Sequence, residues 1–136
     1  MHDLHYRALP VPLKPLADKF YRSHRSRMLA RHEDQVWVAQ HTEIVAALCL
    51  RPVAQGHWLT SLFVAPAQRQ QGLASQLLEQ ALTHTAGAIW LFCHPELSSF
   101  YRRQGFMPCA SLPPALNERF LRYQRSKTLI ALERCR

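Results

Sequence analysis

Between Val64 and Ala74 the chain reads Val64-Ala65-Pro66-Ala67-Gln68-Arg69-Gln70-Gln71-Gly72-Leu73-Ala74, and its chemistry lies in what it lacks. The first turn of a helix leaves backbone N–H groups without intrahelical partners. A Ser, Thr, Asp or Asn side chain ordinarily takes one of them. No such residue stands between Ala65 and Gly72, and no acidic residue follows until Glu79. The donors stay open to a ligand, Arg69 adds a full positive charge, and Gly72 and Ala74 remove bulk that would hold a ligand off the backbone. Such a mouth suits a phosphate or pyrophosphate. Hydrogen bonds to a charged group contribute about 1.5–3 kcal/mol each, so a few reach micromolar affinity after the entropic cost of association. The dinucleotide fingerprint G-x-G-x-x-G and the nucleotide loop G-x-x-x-x-G-K-[ST] are both absent. On these residues alone an ordinary uncapped strand-to-helix turn fits equally well.

The turn must sit between a strand and a helix, and the pattern supplies both. Trp58–Val64 is rich in β-branched and aromatic residues and reads as a strand. From Gly72 to Thr85, Leu73, Leu77, Leu78, Ala81 and Leu82 fall on one side of a helix. Ala88–Cys93 is apolar on both faces, as a covered central strand is. Strand, helix and strand across 58–93 form a βαβ unit, hence a parallel pair with a right-handed crossover. Upstream, Leu4–Ala8 predicts a first strand, Pro10, Pro12 and Pro15 a loop, and Leu16–Arg31 a helix. Gln35–Gln40 and Glu43–Leu50 predict a hairpin around His41-Thr42, with a turn from Leu50 to Gly56. Downstream, Pro95 opens a helix that Gly105 terminates. Phe106–Ala110 and Lys127–Leu132 predict closing strands around a short helix at Asn117–Tyr123. The fold class is α/β (α+β): a mixed central sheet with helices on both faces.

At 136 residues, 48% of them hydrophobic and 19% charged, the chain suits one globular domain, 1–136, with no repeat or linker. No apolar run approaches the ~20 residues of a membrane span, and Met1–Tyr6 lacks a signal-peptide layout. The expected location is cytoplasmic. Cys49, Cys93, Cys109 and Cys135 form no C-x-x-C pair, and the first three read as small buried thiols. The eight histidines show no ligand spacing, so no metal is expected. Seventeen basic against nine acidic residues give a net +8. The basic blocks Arg22–Arg31 and Arg119–Lys127 read as a solvated surface drawing in an anionic cofactor; nucleic acid is the less favoured partner.

Arg69-Gln70-Gln71-Gly72-Leu73-Ala74 resembles the R/Q-x-x-G-x-G/A signature of the GNAT superfamily of N-acetyltransferases. Val64-Ala65-Pro66 is similar to that family's strand end. Phe100-Tyr101-Arg102-Arg103-Gln104-Gly105-Phe106 resembles its F-Y-x-x-x-G-F segment, at the expected separation. The resemblance implies acetyl-CoA as donor, with the backbone of Arg69, Gln70, Gln71, Gly72, Leu73 and Ala74 at the pyrophosphate. It implies that Leu62, Phe63 and Val64 pair with the pantetheine amides as an added strand would. It also implies that the strands Trp58–Val64 and Ala88–Cys93 splay apart at their carboxyl ends.

Transfer to an amine needs a neutral nucleophile, a polarised thioester and a proton for the departing thiolate. The resemblance gives Tyr101 the acid role; packing with Leu97 and Phe100 is the competing reading. Many relatives carry a Glu on the strand equivalent to Trp58–Val64, and this chain has none there. The base is then His57, His94 or a water held by Thr60 or Ser61. His94 stands where relatives place a pantetheine-contacting Asn; capping the helix after Pro95 is its alternative, and ending a turn is that of His57. The acceptor site falls to the first helix, the hairpin and the loop near Leu112–Tyr123, whose basic character disfavours a polyamine. A small-molecule or peptide amine is the expected acceptor, to a monomer or homodimer. The rivals are a catalytically quiet acetyl-CoA-binding regulator and an acetyltransferase acting on aminoacyl-tRNA.

Overall fold

The computed structural model describes residues 4–135; Met1–Asp3, part of the opening segment Met1–Tyr6 read above, lie outside them. Seven strands form a mixed sheet in the order β1-β2-β3-β4-β5-β7-β6. They are β1 His5–Ala8, β2 Gln35–Gln40, β3 Ile44–Val53, β4 Gly56–Val64, β5 Ile89–Cys93, β6 Met107–Pro108 and β7 Ile130–Arg134. The helices are α1 Pro15–Ser23, α2 Leu73–Thr83, α3 Ser98–Arg103 and α4 Pro114–Tyr123. The described chain gathers into two compact units, one running up to Arg51 and including Thr60–Thr85, the other Pro52–Leu59 with residues from Ala86 on.

In the first unit β1, β2 and β3 pair antiparallel, Ala8 opposite Trp37 and Val36 opposite Cys49. Alternation along β2 sends Val36 and Val38 to one face, where they meet Ala17, Phe20 and Tyr21 of α1 with Ala47 and Cys49. It sends Trp37 to the other face, where its ring lies 5.5 Å from His84 just past α2. The α2 stripe Leu73, Leu77, Leu78, Ala81 and Leu82 is buried, as its spacing predicts.

The predicted helix Leu16–Arg31 ends eight residues early, at Ser23. Arg25 adopts a left-handed φ of 58°. Its N–H bonds to the Arg22 carbonyl at 3.0 Å, and the Ser26 N–H reaches back to Tyr21 at 2.9 Å. That is the terminator usually built on glycine. The chain beyond it is held by side chains instead: Asp18 accepts the Ala30 N–H at 2.9 Å, and the Lys14 ammonium donates to the Arg31 and His32 carbonyls. Asp34, nearly fully buried, accepts the Arg31 N–H at 2.7 Å and two bonds from Arg51 of β3.

In the second unit the start of β4 runs parallel to β5, His57 opposite Ile89 and Leu59 opposite Leu91. β7 adds antiparallel to β5, and β6 to β7. The turn expected from Leu50 to Gly56 narrows to Ala54-Gln55, because β3 runs on through Pro52 to Val53 and β4 opens at Gly56. Gly56 is required there: a Cβ would collide with the Ala88 carbonyl and the Trp90 ring. One face of β5 presents Phe92, whose ring lies 5.0 Å from Phe120 of α4 and 5.4 Å from Trp58. Three boundaries differ from expectation. The helix after Pro95 begins as a 3-10 turn, Pro95–Leu97, before α3; α4 starts at Pro114, with proline at its first turn; and β6 is only two residues long. Cys109 is only partly buried and Cys135 is exposed, whereas Cys49 and Cys93 are buried.

Candidate functional site

In the first unit β4 ends at Val64, Pro66–Gln68 make a 3-10 turn, and α2 starts at Leu73. Two residues of the connection are left-handed, Gln70 at φ 65° and Gly72 at φ 80°. Backbone of that kind turns successive N–H groups toward a common point, the geometry of an anion nest. Gly72 is the N-cap, and no side chain caps the helix. The first helical bond runs from Gln76 N–H to Gly72 C=O at 3.1 Å, so the amides of Leu73 and Ala74 precede the ladder. Arg69 to Gly72 are exposed, and a Cβ on Gly72 would meet no atom within 4 Å. Open space, converging donors and no acidic residue in the first turn fit a diphosphate.

Arg69 does a second job. Its Nε–H donates to the Val64 carbonyl at 2.9 Å, and its guanidinium lies 5.2 Å from the Phe63 ring centroid. The side chain ties the turn to the end of β4, and the other N–H groups of the guanidinium take no part in that bond. It also occupies one acceptor direction of Val64, on the strand expected to pair with pantetheine. A carbonyl has two lone pairs, so one direction stays open.

What sequence reasoning missed on this strand is the backbone conformation of Ser61. It is left-handed, at φ 60°, in the middle of β4. The parallel ladder covers His57–Leu59, and β4 continues five residues past it. Ser61 therefore breaks the regular strand where pairing with β5 has stopped. The buried Tyr21 hydroxyl donates to the Ser61 carbonyl at 2.7 Å and fixes the distortion. Cys49 Sγ lies 3.8 Å from the same hydroxyl, and burial first, then Cys49 and the carboxylates of Asp18 and Asp34, drives the tyrosine pKa far above its ordinary value. Nothing in the sequence announces a left-handed serine inside a β-rich run. Tyr21→Phe is expected to keep the ring packing and lower stability by about 1 kcal/mol; urea unfolding reads this, and an unchanged midpoint would show that the bond contributes nothing.

In the second unit Tyr101 lies on α3, buried to 8% exposure, with its ring 5.0 Å from Phe100 and 5.8 Å from Phe106. Gly105, at φ 94°, terminates the helix as expected, and the Phe106 N–H bonds back to the Tyr101 carbonyl at 3.1 Å. Burial, then the nearby Cys93 thiol, raises the phenol pKa above its usual value.

The two candidate bases are placed differently. His57 is not at a turn but inside β4, near its start. Its Nδ1 is buried without a partner, and burial lowers its pKa, so the ring is neutral at pH 7. His94 is exposed, and its Nδ1 accepts the Glu96 N–H at 3.2 Å. In that geometry the neutral ring keeps its proton on Nε2, and its only lone pair is spent on the cap. Accepting a proton would cost His94 that bond. Among the described residues no group of three or more His, Cys, Asp or Glu is placed to hold a metal, and no helix is long and apolar enough to cross a membrane.

The sequence matches the model of the acetyltransferase (GNAT) domain over residues 32–108. The chain belongs to the GNAT acetyltransferase family. Among solved structures it is similar to N-acetylglutamate synthase from Neisseria gonorrhoeae, crystallised with coenzyme A and N-acetyl-glutamate, at a TM-score of 0.67 and 13% identity. That match covers 99% of this chain but 35% of the synthase, so the chain spans about a third of its length. It is also similar to the PaiA N-acetyltransferase from Thermoplasma acidophilum in complex with coenzyme A, at TM-score 0.63 and 13% identity, covering 98% of this chain and 99% of that one. An acyl-CoA N-acyltransferase from Pseudomonas aeruginosa matches at TM-score 0.64 and 17% identity, covering 98% and 100%. Among curated protein sequences no significant match was found.

Proposed function

We propose that this chain is an N-acetyltransferase that passes an acetyl group from acetyl-CoA directly to an amine. The observation that carries the proposal is the Gln70–Ala74 connection, left-handed at two positions and uncapped, on a family signature. Acetyl-CoA supplies the activated thioester. The amides of Gln70 to Ala74 hold its diphosphate with Arg69 beside them, and the Leu62–Val64 edge of β4 pairs with its amide arm. Tyr101 donates its hydroxyl proton to the departing sulfur. The amine gives up a proton to His57, to His94 or to a water at Thr60 and Ser61. The cap on His94 favours the water over that histidine.

The coenzyme A complexes of similar structures and the net positive charge of this chain support the donor assignment. At a hundredfold excess over its dissociation constant, a ligand of the folded state contributes about 2.7 kcal/mol. For a chain this long acetyl-CoA is expected to raise Tm by roughly 10 °C. No shift at millimolar acetyl-CoA would remove the assignment.

One feature favours a second reading, an acetyl-CoA-binding regulator: β4 carries no carboxylate to serve as base. Binding of acetyl-CoA with no thiol release across amines, amino acids and peptides would support the regulator; release with any of them would exclude it.

A further inference from the structure

β1 stands at one end of the sheet, and its bonding to β2 fixes what its other edge presents. Just past the strand the Leu9 N–H donates to the Val36 carbonyl at 2.8 Å, so these two form a hydrogen-bonded pair of the antiparallel ladder. In the same register Arg7–Val38 and His5–Gln40 are bonded pairs as well. The N–H and C=O groups of Tyr6 and Ala8 therefore point away from β2, and Leu4 continues the alternation. We propose that this edge pairs with β1 of a second copy of the chain, antiparallel and centred on Tyr6. The proposal stands apart from the acyl-transfer reading and does not depend on it.

The edge is accessible and unprotected. A cavity of about 590 Å³ borders residues 4–7, with Gln40, His41 and Gln80 of α2 completing its lining, so the space an added strand takes is open. Sheet edges are ordinarily blunted by proline, by outward charge or by shortness. β6, the other terminal strand, is blunted in this way: it has two residues, and one is Pro108, which has no N–H to offer. β1 has four residues and no proline. Its arginine is turned back onto β2, where the Arg7 guanidinium donates to Gln40 Oε1 at 3.2 Å.

Self-complementarity selects a second copy and sets the register. A two-fold axis matches the outward groups only in pairs drawn from Leu4, Tyr6 and Ala8. Centred on Arg7, the pairing puts the two Arg7 side chains directly opposite each other, which is repulsive. Centred on His5, it joins Leu4 to Tyr6 and leaves Ala8 without a partner among the described residues. Centred on Tyr6, it sets Tyr6 against its own copy and Ala8 against Leu4, and every outward group is matched. Each facing pair then exchanges two main-chain bonds. The tyrosines add an aromatic pair across the axis. His5 of one copy faces Arg7 of the other, so the two arginines no longer meet.

The test is sedimentation equilibrium of the whole chain. So short a strand lies at the low end of interface size, and a reversible dimer is expected in the micromolar range. Ala8→Pro removes one outward N–H from each copy and none that β2 uses, and should weaken the dimer at least ~10-fold. His5→Glu sets a carboxylate against Arg7 of the second copy and should tighten the dimer about fivefold; His5→Lys should loosen it by a similar factor. A misfolded variant cannot gain affinity, so His5→Glu keeps the test decisive if Ala8→Pro fails to fold. A chain that stays monomeric throughout overturns the proposal and leaves the edge to an extended segment of another protein. A dimer indifferent to a folded Ala8→Pro, or one that His5→Glu and His5→Lys shift alike, lies on another surface and overturns it too.

Discussion

Gly72→Glu is expected to abolish acetyl-CoA binding while the protein remains folded. A side chain at Gly72 enters open space, so no core atom must move. The cost to the fold is the left-handed backbone, about 1–2 kcal/mol for a residue with a Cβ. The cost to the ligand is larger. The new carboxylate stands at the helix mouth, takes the amides for itself as a cap does, and repels the diphosphate. Losing two charge-assisted bonds at ~1.5–3 kcal/mol each lowers affinity by at least ~100-fold. Gly72→Ala separates the two costs, carrying the backbone strain without the charge, and should retain most of the binding. Calorimetric titration with acetyl-CoA, alongside thermal unfolding of both variants, decides the matter. Equal affinity in Gly72→Glu and the parent would place the cofactor elsewhere.

The turn was legible because its signal is compositional: an absence of capping side chains and a glycine at a fixed place. Gly105 was legible for the same reason, being the residue that tolerates the left-handed turn ending α3. Where other residues adopt that conformation, the sequence is silent. Arg25 ends α1, Ser61 breaks β4 and Gln70 shapes the loop before α2, all at positive φ without glycine. A local bond from the Ser26 N–H to the Tyr21 carbonyl holds the first, and a tertiary bond from the Tyr21 hydroxyl to the Ser61 carbonyl holds the second. Because Arg25 gave no stop signal, the periodicity that includes Met28 and Leu29 extended the helix too far; both are exposed.

The same limit applies to side-chain roles. Arg69 was expected to add a full positive charge at the pyrophosphate, and its Nε–H also donates to the Val64 carbonyl. Chemistry types a residue, but only packing shows what already occupies it. His94 illustrates the point: a histidine after a strand fits a base or a cap, and its bond to Glu96 N–H is the cap.

Tyr101→Phe is expected to lower kcat by ~100-fold or more, the usual scale for loss of a positioned acid, and to leave the acetyl-CoA melting shift unchanged. Phenylalanine preserves the ring packing against Phe100 and Phe106, so the variant removes one proton and little else. Burial, with Cys93 adding to it, holds this phenol above the ordinary pKa of ~10. The sign follows directly. The folded protein keeps the Tyr101 proton where an unfolded chain would release it, so the acid stays loaded and kcat has no descending limb from Tyr101 below pH ~10. Above that pH the unfolded chain ionises first, and the stability contributed by the protonated phenol is progressively lost. A raised pKa also makes the phenol a weaker donor, so a leaving thiolate gains more from its proton the more basic that thiolate is. Acyl donors with more acidic leaving thiols should therefore lose less from Tyr101→Phe than acetyl-CoA does. Equal losses across a thioester series, or full activity in the variant, would reduce Tyr101 to a packed aromatic.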